Sequence, residues 1–499
     1  MATEREFKFD VAEDFVVPAF EGFEEISADG PIRLHAIYWD TADFVLTRWG
    51  HSVRSRESVD DASEKGWTVK IAVADQSLAT VRHEIGVPGD SASPPPGVCE
   101  LVSGIVAGAA LVPVATIDTV RERRTRRDRS SGTTIEIDDD VVTSSTPTGP
   151  GPCFRQLEVE IVDGDERALA QIRRLLRSAG AVPETASKVR RVLAEQIAEP
   201  VRPIVGDRMK TLSDLVSRAF AAGARELLSH DPLIRVDGNH EAIHKARVAT
   251  RRLRSDLKTL EPVCDPVRVE GLRSELAWLG SLLGRIRDLD VVVSVLTDTA
   301  AQVDGIDAGA VDALHGRLRR QRQEQLLVVL DAMRSSRYHD LLFDLVRLVE
   351  DPPLRPEFDH GLPAKRFAKE VLRHAFVRVG RLVERLPQHP PQSALHDVRK
   401  AAKRARYAAE LVAPLAHGKT DKLARRLANL QDELGATQDL IAMSSWLAEL
   451  ALTTFTSEEA YTAGILHQVL TQQLCMPLRW RAAWKKTSHP DLRHWFDET

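Results

Sequence analysis

Polar and apolar residues alternate with a period of two along short stretches of the first 200 residues, which is the pattern of half-buried β-strands. Turn-forming residues separate these stretches, and two intervals, 98–110 and 166–179, have a helical period instead. We therefore predict an α+β domain over residues 1–200, built from antiparallel strands with minor helices. The strand-like stretches are residues 4–9, 35–39, 52–56, 67–73, 81–87, 133–138 and 156–162.

The pattern changes beyond residue 200, where apolar residues recur about every 3.6 positions over long segments punctuated by prolines. Pro200 and Pro203 lie three residues apart and must stop the helix that enters from Ser187. These features predict a linker over residues 201–206 and an all-helical domain over residues 207–499.

An internal repeat divides the helical half. The segment from His244 to Arg254 matches the segment from His396 to Arg406, with every basic position offset by 152 residues. A second match, of 283–289 with 434–440, follows at an offset of 151. The repeat predicts two copies of one helical unit, stacked about a pseudo-twofold axis.

Charge divides the chain at the same boundary. The 499 residues include 68 Lys and Arg against 73 Asp and Glu, a net charge of -5. The first 200 residues carry -11 and the remainder carries +6. Each half is therefore expected to have its own ligand, and the mild overall charge argues against a general coat on nucleic acid.

The sequence shows no signal peptide and no apolar stretch of the length that a membrane helix needs. Its four cysteines lie far apart without a CxxC pair, which argues against a disulfide framework and against a thiolate zinc site. We expect a soluble, cytoplasmic protein that does not bind membranes.

Charged side chains occupy the alternate positions of most predicted strands. Glu4, Glu6 and Lys8 share one face of the first strand, and Glu158 and Glu160 share one face of the last. One explanation is a ladder of ion pairs on a solvated sheet. The other is a closed barrel with charged positions inside and apolar positions under helices, and the recurrence of the pattern on seven strands favours it.

A barrel with a charged interior suits a chain of phosphates. Lys and Arg side chains bind non-bridging phosphate oxygens, Arg in bidentate geometry. Clustered carboxylates hold Mg²⁺ or Mn²⁺, hard cations that bridge to phosphate oxygens. Both kinds of side chain are present in the alternating set.

These residues resemble the CYTH domain of the triphosphate tunnel metalloenzymes, which include thiamine triphosphatase, class IV adenylate cyclase and bacterial inorganic triphosphatases. Glu4-x-Glu6-x-Lys8 is similar to the ExExK signature of that family, and further elements follow in the family's order over about residues 2–197. The further elements are Tyr38–Thr41, Val53–Arg56, Trp67–Lys70, Arg82–Glu84, Arg121 with Arg123, Glu136–Asp139, Leu157–Glu160 and Ser187–Arg190.

The resemblance implies an eight-stranded antiparallel tunnel in which a metal-oriented water attacks the terminal phosphoryl group of inorganic triphosphate. The implied catalytic residues are Glu4, Glu6, Lys8, Glu158 and Glu160. The implied ligands of Mg²⁺ or Mn²⁺ are Glu4, Glu6, Asp138, Glu158 and Glu160. The implied triphosphate-binding residues are Lys8, Arg54, Arg56, Lys70, Arg82, Arg121, Arg123 and Lys188.

Two registers stay open at this point. Several arginines between residues 121 and 127 could enter the tunnel, and Glu136, Asp138 or Asp139 could each supply the acidic ligand.

Basic side chains form one stripe on the first helix of each repeat. Successive residues of a helix are about 100° apart around its axis, so the basic residues of each copy fall within an arc of about 80° on one side of the helix. Like charges four residues apart repel, so acids on neighbouring helices or a bound anion must neutralise the stripe, and its duplication favours the anion. The members are His244, Arg247, Arg251, Arg254 and Lys258 in the first copy and His396, Arg399, Lys403 and Arg406 in the second.

The repeat resembles the CHAD domain over about residues 207–499. The motif His244-x-x-Arg247-x-x-x-Arg251-Arg252-x-Arg254 and its copy carry this resemblance, together with Gly284-x-x-Arg287-Asp288 and Gly435-x-x-Gln438-Asp439. It implies two pseudo-symmetric four-helix bundles beside a basic groove, in which the two stripes bind inorganic polyphosphate. The second copy has Glu410 in place of Lys258 and Gln438 in place of Arg287, which weakens its expected share of the groove.

Both resemblances together imply a metal-dependent inorganic triphosphatase tethered to a module that recruits it to polyphosphate or to polyphosphate-containing granules. One alternative is an adenylate cyclase, which would need a purine pocket at the tunnel mouth. Another is a scaffold that binds phosphate chains without turnover. Nucleic acid is disfavoured, because Tyr407 is the one aromatic residue that joins the stripes.

Overall fold

The computed structural model describes residues 2–28, 30–58, 60, 65–73, 80–89, 92–164, 166–197, 209–358, 361–450, 456–474 and 479–497. The linker predicted at residues 201–206 lies outside this set. The chain divides into two compact units, one of residues 1–202 with 231–236 and the other of residues 203–230 with 237–499.

The first unit contains eleven strands in its described part, all in one sheet. They are β1 (Ala2–Val11), β2 (Phe23–Ala28), β3 (Ile32–Asp40), β4 (Ser52–Ser58), β5 (Gly66–Ala72), β6 (Thr80–Val87), β7 (Val112–Asp128), β8 (Thr134–Thr146), β9 (Gly149–Pro150), β10 (Phe154–Asp163) and β11 (Val182–Glu184). Four helices accompany them, namely α1 (Val45–Arg48), α2 (Pro96–Val106), α3 (Glu166–Ser178) and α4 (Lys188–Val192).

Eight of these strands close into an antiparallel barrel. Neighbouring strands follow the order β7, β3, β4, β5, β6, β1, β10 and β8, and β8 pairs with β7 to complete the ring. The other three strands extend it, with β2 on β7, β9 on β8 and β11 on β1. The predicted eight-stranded tunnel is confirmed.

Apolar side chains cover the outer face of the barrel, as the period of two predicts. Ile137 of β8 and Val159 of β10 are buried in one cluster with Leu169, Ile172 and Leu176 of α3. A strand that packs one face under a helix must turn its alternate residues to the other side. The alternate residues of these strands are the charged ones, so packing of the outer face directs them to the interior.

The helix α4 and the residues after it fill the interior at one end. The hydroxyl of Ser187 accepts a hydrogen bond from the Arg190 amide and so caps the helix at its N-terminus. Val192 and Leu193 are buried in one cluster with Tyr38 and Val142 of the barrel strands. This apolar layer leaves the remaining interior to the charged side chains.

The second unit is helical, which confirms the prediction for this half of the chain. Its described helices are α5 (Leu212–Asp237), α6 (His240–Leu260), α7 (Pro266–Ala300), α8 (Ala308–Arg334), α9 (Ser336–Glu350), α10 (Ala364–Glu384), α11 (Gln392–Ala416), α12 (Asp421–Glu433), α13 (Ala436–Leu450), α14 (Ser457–Leu474), α15 (Trp480–Thr487) and α16 (His494–Asp497). None of them is long and apolar enough to span a membrane.

The two copies of the repeat differ in one helix. The basic motif lies on α6 in the first copy and on α11 in the second, and α6 packs against α7 as α11 packs against α12. Gly284 lies inside the unbroken helix α7, whereas its counterpart Gly435 lies between α12 and α13. The repeat therefore keeps its element order but divides one long helix in the second copy.

Candidate functional site

The barrel interior contains a cavity of about 250 Å³ lined by charged and hydroxyl-bearing side chains. Every residue that the sequence predicted to bind metal or triphosphate lies in its lining. These residues are Glu4, Glu6, Lys8, Arg54, Arg56, Lys70, Arg82, Arg121, Arg123, Asp138, Glu158, Glu160 and Lys188. The alternating charges thus converge on an enclosed space and do not form a ladder on a solvated sheet.

Strand register brings these residues together, because β1 lies between β6 and β10. Glu6 stands opposite Glu160 on β10, and Glu4 stands opposite Arg82 on β6. Since every second side chain of each strand points inward, residues distant in sequence become neighbours across the cavity.

Four further lining residues had no predicted role, namely Tyr38, Ser52, Glu84 and Ser187. Ser52 and Glu84 each lie two residues from an assigned arginine, so the period of two could have placed both on the same face. Tyr38 lies in the Tyr38–Thr41 element of the resemblance, but no chemical signal in the sequence gave its hydroxyl a role.

The structure shows which of the three acids that could supply the acidic ligand face the cavity. Glu136 and Asp138 line the cavity. Asp139 faces the other side of β8, where its two oxygens accept hydrogen bonds from Arg155 Nε and Nη2 at 2.9 and 2.7 Å. Asp139 is therefore excluded as a ligand in the tunnel.

The structure also shows which arginines between residues 121 and 127 enter the tunnel. Arg121 and Arg123 line the cavity. Arg124 pairs with Glu122 at 3.7 Å, and Arg126 pairs with Glu25 at 3.3 Å, both away from the cavity lining.

Lysines and carboxylates inside the tunnel pair closely. The Lys70 ammonium donates to both carboxylate oxygens of Glu4 at 2.9 and 2.8 Å. The Lys8 ammonium lies 2.8 Å from Glu6 Oε1. These contacts join groups to which the sequence assigned different ligands, a metal ion for the carboxylates and phosphate for the lysines.

Asp140 lies behind the lining and binds two of its cations. Its carboxylate is fully buried and accepts hydrogen bonds from Arg121 Nε and Nη2, both at 2.7 Å. Lys188 lies 2.7 Å from Asp140 Oδ2 and also 2.7 Å from Glu158 Oε1. Asp140 had no predicted role, although it shares the face of Asp138 two residues earlier.

In the helical unit the two basic stripes adjoin. The helix α6 packs against α11, and Arg251 Nε donates to Tyr407 Oη of the other copy at 3.1 Å. Lys403 belongs to the second stripe, and the positive charges of arginines in both stripes repel its ammonium group. The arginines concerned are Arg247 and Arg251 of the first copy and Arg399 and Arg406 of the second.

A glycine makes room for the corresponding arginine in each copy of the repeat. A Cβ atom added to Gly284 would lie 3.6 Å from Arg247 Nε, and one added to Gly435 would lie 2.9 Å from Arg399 Nη2. A side chain at Gly435 would therefore displace the guanidinium of Arg399. The matched glycines of the repeat thus help to place matched arginines of the stripes.

Acidic neighbours neutralise part of the stripes, as the alternative explanation proposed. Asp288 accepts a hydrogen bond from Arg247 Nη2 at 3.1 Å, and Glu410 lies 3.4 Å from Arg406 Nε. Further along α6, Arg254 is exposed and Lys258 contacts Glu261 of its own turn. His244 and His396 are half-buried at the start of their stripes.

Comparison with known families gives the same division of the chain. The model of the CYTH domain matches residues 2–193, and the model of the CHAD domain matches residues 218–448. The chain carries a CYTH domain followed by a CHAD domain.

Similar proteins cover either the whole chain or one domain. An uncharacterised protein of Mycobacterium tuberculosis is 29% identical over 504 residues, which cover 93% of this chain and 92% of that protein. The structure of PptA from Streptomyces chartreusis is 24% identical with a TM-score of 0.46, over 56% of this chain and 98% of that one. The CHAD domain from the plant Ricinus communis is 26% identical with a TM-score of 0.48, over 57% and 95%.

Two carboxylates of the CYTH cavity have opposite electrostatic environments. Burial raises the pKa of Glu160 to about 8, and the charges of Glu4 and Glu6 act in the same direction. Burial also disfavours the charged form of Glu158, but Lys188 and Lys8 outweigh it and hold its pKa well below the usual range. Glu158 is therefore neutralised by cations, and Glu160 is not.

The chemistry of these donors fits a hard divalent cation, which takes carboxylate oxygens. Glu160 makes no hydrogen bond or ion pair with the rest of the described chain, and its pKa is raised by burial and by the charges of Glu4 and Glu6, so a bound cation would favour its ionised form. Within that part of the chain, no three His, Cys, Asp or Glu side chains already form a coordination group. Other carboxylates of the CYTH cavity, such as Glu4, Glu6 and Glu158, are instead engaged by lysines.

The CHAD stripes have the reverse electrostatics. Burial and the neighbouring arginines lower the pKa of Lys403 to about 7. A half-buried lysine with such a pKa carries its charge at a cost in free energy. A bound polyanion would remove that cost.

Proposed function

We propose that the CYTH domain hydrolyses inorganic triphosphate with the help of Mg²⁺ or Mn²⁺, and that the CHAD domain binds inorganic polyphosphate. Water would attack the terminal phosphoryl group, the phosphoanhydride bond would break, and phosphate and pyrophosphate would leave. The helical domain would hold the enzyme at polyphosphate or at granules that contain it and so raise the local concentration of substrate.

The lining of the tunnel carries this proposal. Eight lining residues are Lys or Arg and seven are Asp or Glu, and among the lining residues that the structure describes Tyr38 is the single aromatic side chain. A site with this composition binds a highly charged chain of phosphates and metal, whereas a nucleotide also needs an apolar surface for its base. The lining therefore favours inorganic triphosphate over ATP.

The basic residues of the tunnel would bind phosphate, and its carboxylates would bind metal. Lys8, Arg54, Arg56, Lys70 and Lys188, with Arg82, Arg121 and Arg123, would bind the phosphate oxygens and stabilise charge that develops on them. Glu4, Glu6, Asp138, Glu158 and Glu160 would hold the divalent cation. When bound, the cation supplies charge neutralisation and a site that orients water.

The buried carboxylate of Asp140 would act through the cations that it binds. With both oxygens engaged by Arg121 and Lys188, it fixes two phosphate-binding groups before substrate arrives. Such fixed charge lowers the reorganisation needed when charge develops on the phosphoryl group.

A substrate panel tests the proposal. Triphosphate, pyrophosphate, ATP, thiamine triphosphate and long-chain polyphosphate are each incubated with Mg²⁺ or Mn²⁺, and the products are separated. We expect phosphate release to be fastest with triphosphate. Formation of cyclic AMP from ATP would assign the domain to the cyclases instead, and no turnover with any substrate would favour the scaffold.

A further inference from the structure

The Lys70 ammonium has its hydrogen-bonding capacity filled by carboxylates. It donates to both oxygens of Glu4 at 2.9 and 2.8 Å and lies 3.1 Å from Glu84 Oε2. An ammonium group has three donors, and three carboxylate oxygens accept from it here. The side chains of Lys70 and Glu4 are both largely buried, at 13% and 11% exposed.

The same contact occupies Glu4. Both of its oxygens accept hydrogen bonds from Lys70, so an entering divalent cation competes with that ammonium for Glu4 and meets its positive charge. Lys70 likewise cannot turn a donor to a phosphate oxygen without releasing a carboxylate. A buried charge left without its partner is strongly destabilising, so neither group is expected to leave the other uncompensated.

From this geometry we propose that Lys70 is an internal counterion that holds the metal position of Glu4 until phosphate arrives, so that metal and phosphate bind cooperatively through this lysine. The inference rests on the proposed function of the tunnel and deepens it. A cation that takes Glu4 frees the ammonium of Lys70, and a phosphate oxygen then receives it. A phosphate that takes Lys70 first frees Glu4 for the cation.

The coupling must act equally in both directions. If phosphate strengthens metal binding by some factor, metal strengthens phosphate binding by the same factor. Direct attraction between metal and phosphate adds to this coupling in any such site. The share due to Lys70 is distinguishable, because it also weakens metal binding when phosphate is absent.

The test measures Mn²⁺ binding to the full-length protein by electron paramagnetic resonance, first without phosphate and then with a methylene-bridged triphosphate analogue that resists hydrolysis. Lys70→Met removes the counterion and leaves Glu4 in place. We expect it to bind Mn²⁺ about tenfold more tightly than the parent when phosphate is absent, within the usual range of such couplings. We also expect the analogue to strengthen Mn²⁺ binding less in the variant than in the parent.

Two control variants separate this effect from general changes. Lys70→Arg keeps a cation beside Glu4 and should bind Mn²⁺ as the parent does. Arg155→Met removes a cation from a comparable pair on the outside of the barrel, with Asp139, and should also leave Mn²⁺ affinity unchanged. Circular dichroism verifies that each variant is folded.

The inference is overturned if Lys70→Met binds Mn²⁺ no more tightly than the parent when phosphate is absent, or if the parent does not bind Mn²⁺ even with the analogue present. Failure of the proposed function would look different. Mn²⁺ and analogue would then bind cooperatively, with the loss of cooperativity in Lys70→Met, but triphosphate would not be hydrolysed.

Discussion

The CYTH cavity and the CHAD stripes both gather basic side chains, but they neutralise them in opposite ways. In the cavity, burial alone would lower the pKa of Lys188, yet Asp140 and Glu158 raise it above its ordinary value. In the stripes, burial and the neighbouring arginines together lower the pKa of Lys403 to about 7. The cavity is compensated from within, whereas acids neutralise the stripes only in part.

This difference predicts different ligands for the two domains. A compensated cavity gains little from an anion alone, because the anion must displace the carboxylates that already bind the cations. Metal and phosphate together would satisfy both sets of charges. A stripe that is only partly compensated gains from an anion directly and has no need of metal.

Removal of metal should give the largest difference between the activity of the CYTH domain and the ligand binding of the CHAD domain. With EDTA in excess, we expect hydrolysis of triphosphate to fall by about a thousandfold or more, since a catalytic metal supplies several kcal/mol of charge stabilisation. Binding of long-chain polyphosphate, measured by calorimetry, should persist. EDTA already saturated with Mg²⁺ serves as the control. Loss of polyphosphate binding on chelation would contradict the contrast between the domains.

Removal of one arginine from each region should affect stability unequally. Arg121→Met leaves the fully buried Asp140 without its bidentate partner, and breaking a buried pair from one side costs about 3–5 kcal/mol of unfolding free energy. Arg399→Met removes a cation that lies near both Lys403 and Asp439, so its unfavourable and favourable charge interactions partly cancel and we expect a change within about 0.5 kcal/mol. Chemical denaturation of both variants measures the difference. Equal losses would show that the stripes are compensated as the cavity is.

Much of the CYTH site was predictable because it depends on local alternation. Once Glu4, Glu6 and Lys8 were placed on an inner face, the same rule placed Glu158 and Glu160, and all of them line the cavity. The choice between Asp138 and Asp139 was not predictable in this way. It depends on the register of β8 against β10, and strands joined by an irregular hairpin do not reveal their pairing in the sequence.

Pairing between side chains was harder to predict than their direction. Asp140 shares the inner face of Asp138, but its contact with Lys188 depends on the position of α4. The CHAD repeat predicted two copies of one helical unit, yet the long helix of the first copy is divided at Gly435 in the second. Such features arise from tertiary packing, which cannot be predicted from composition and periodicity alone.

A neutral substitution in the stripe should stabilise the free protein while it weakens ligand binding. Lys403→Met removes a charge that Arg251 and Arg399 oppose, so we expect the unfolding free energy to rise by about 1 kcal/mol, the sum of a few unfavourable charge pairs. The same change should weaken polyphosphate binding by about tenfold, because one phosphate contact is lost.

Thermal denaturation and calorimetry give the two effects on Lys403→Met separately. Lys400→Met is a matched control, since Lys400 lies on the same helix but pairs with Asp397. A variant of Lys403 that is destabilised, or that binds polyphosphate as the parent does, would contradict the prediction.

The smallest expected effect is a dependence of polyphosphate binding on pH. Between pH 7 and about 10.5 the unfolded chain keeps the proton of Lys403 and the free folded protein has lost it, so stability contributed by this group rises with pH. Polyphosphate binds the charged form and must restore the proton, so its affinity should fall by severalfold between pH 6.5 and 8.5. Calorimetry in buffers of different ionisation enthalpy should show proton uptake near pH 8, and Lys403→Met should abolish it. Uptake that persists in the variant would assign the proton to another group of the stripe, such as His244.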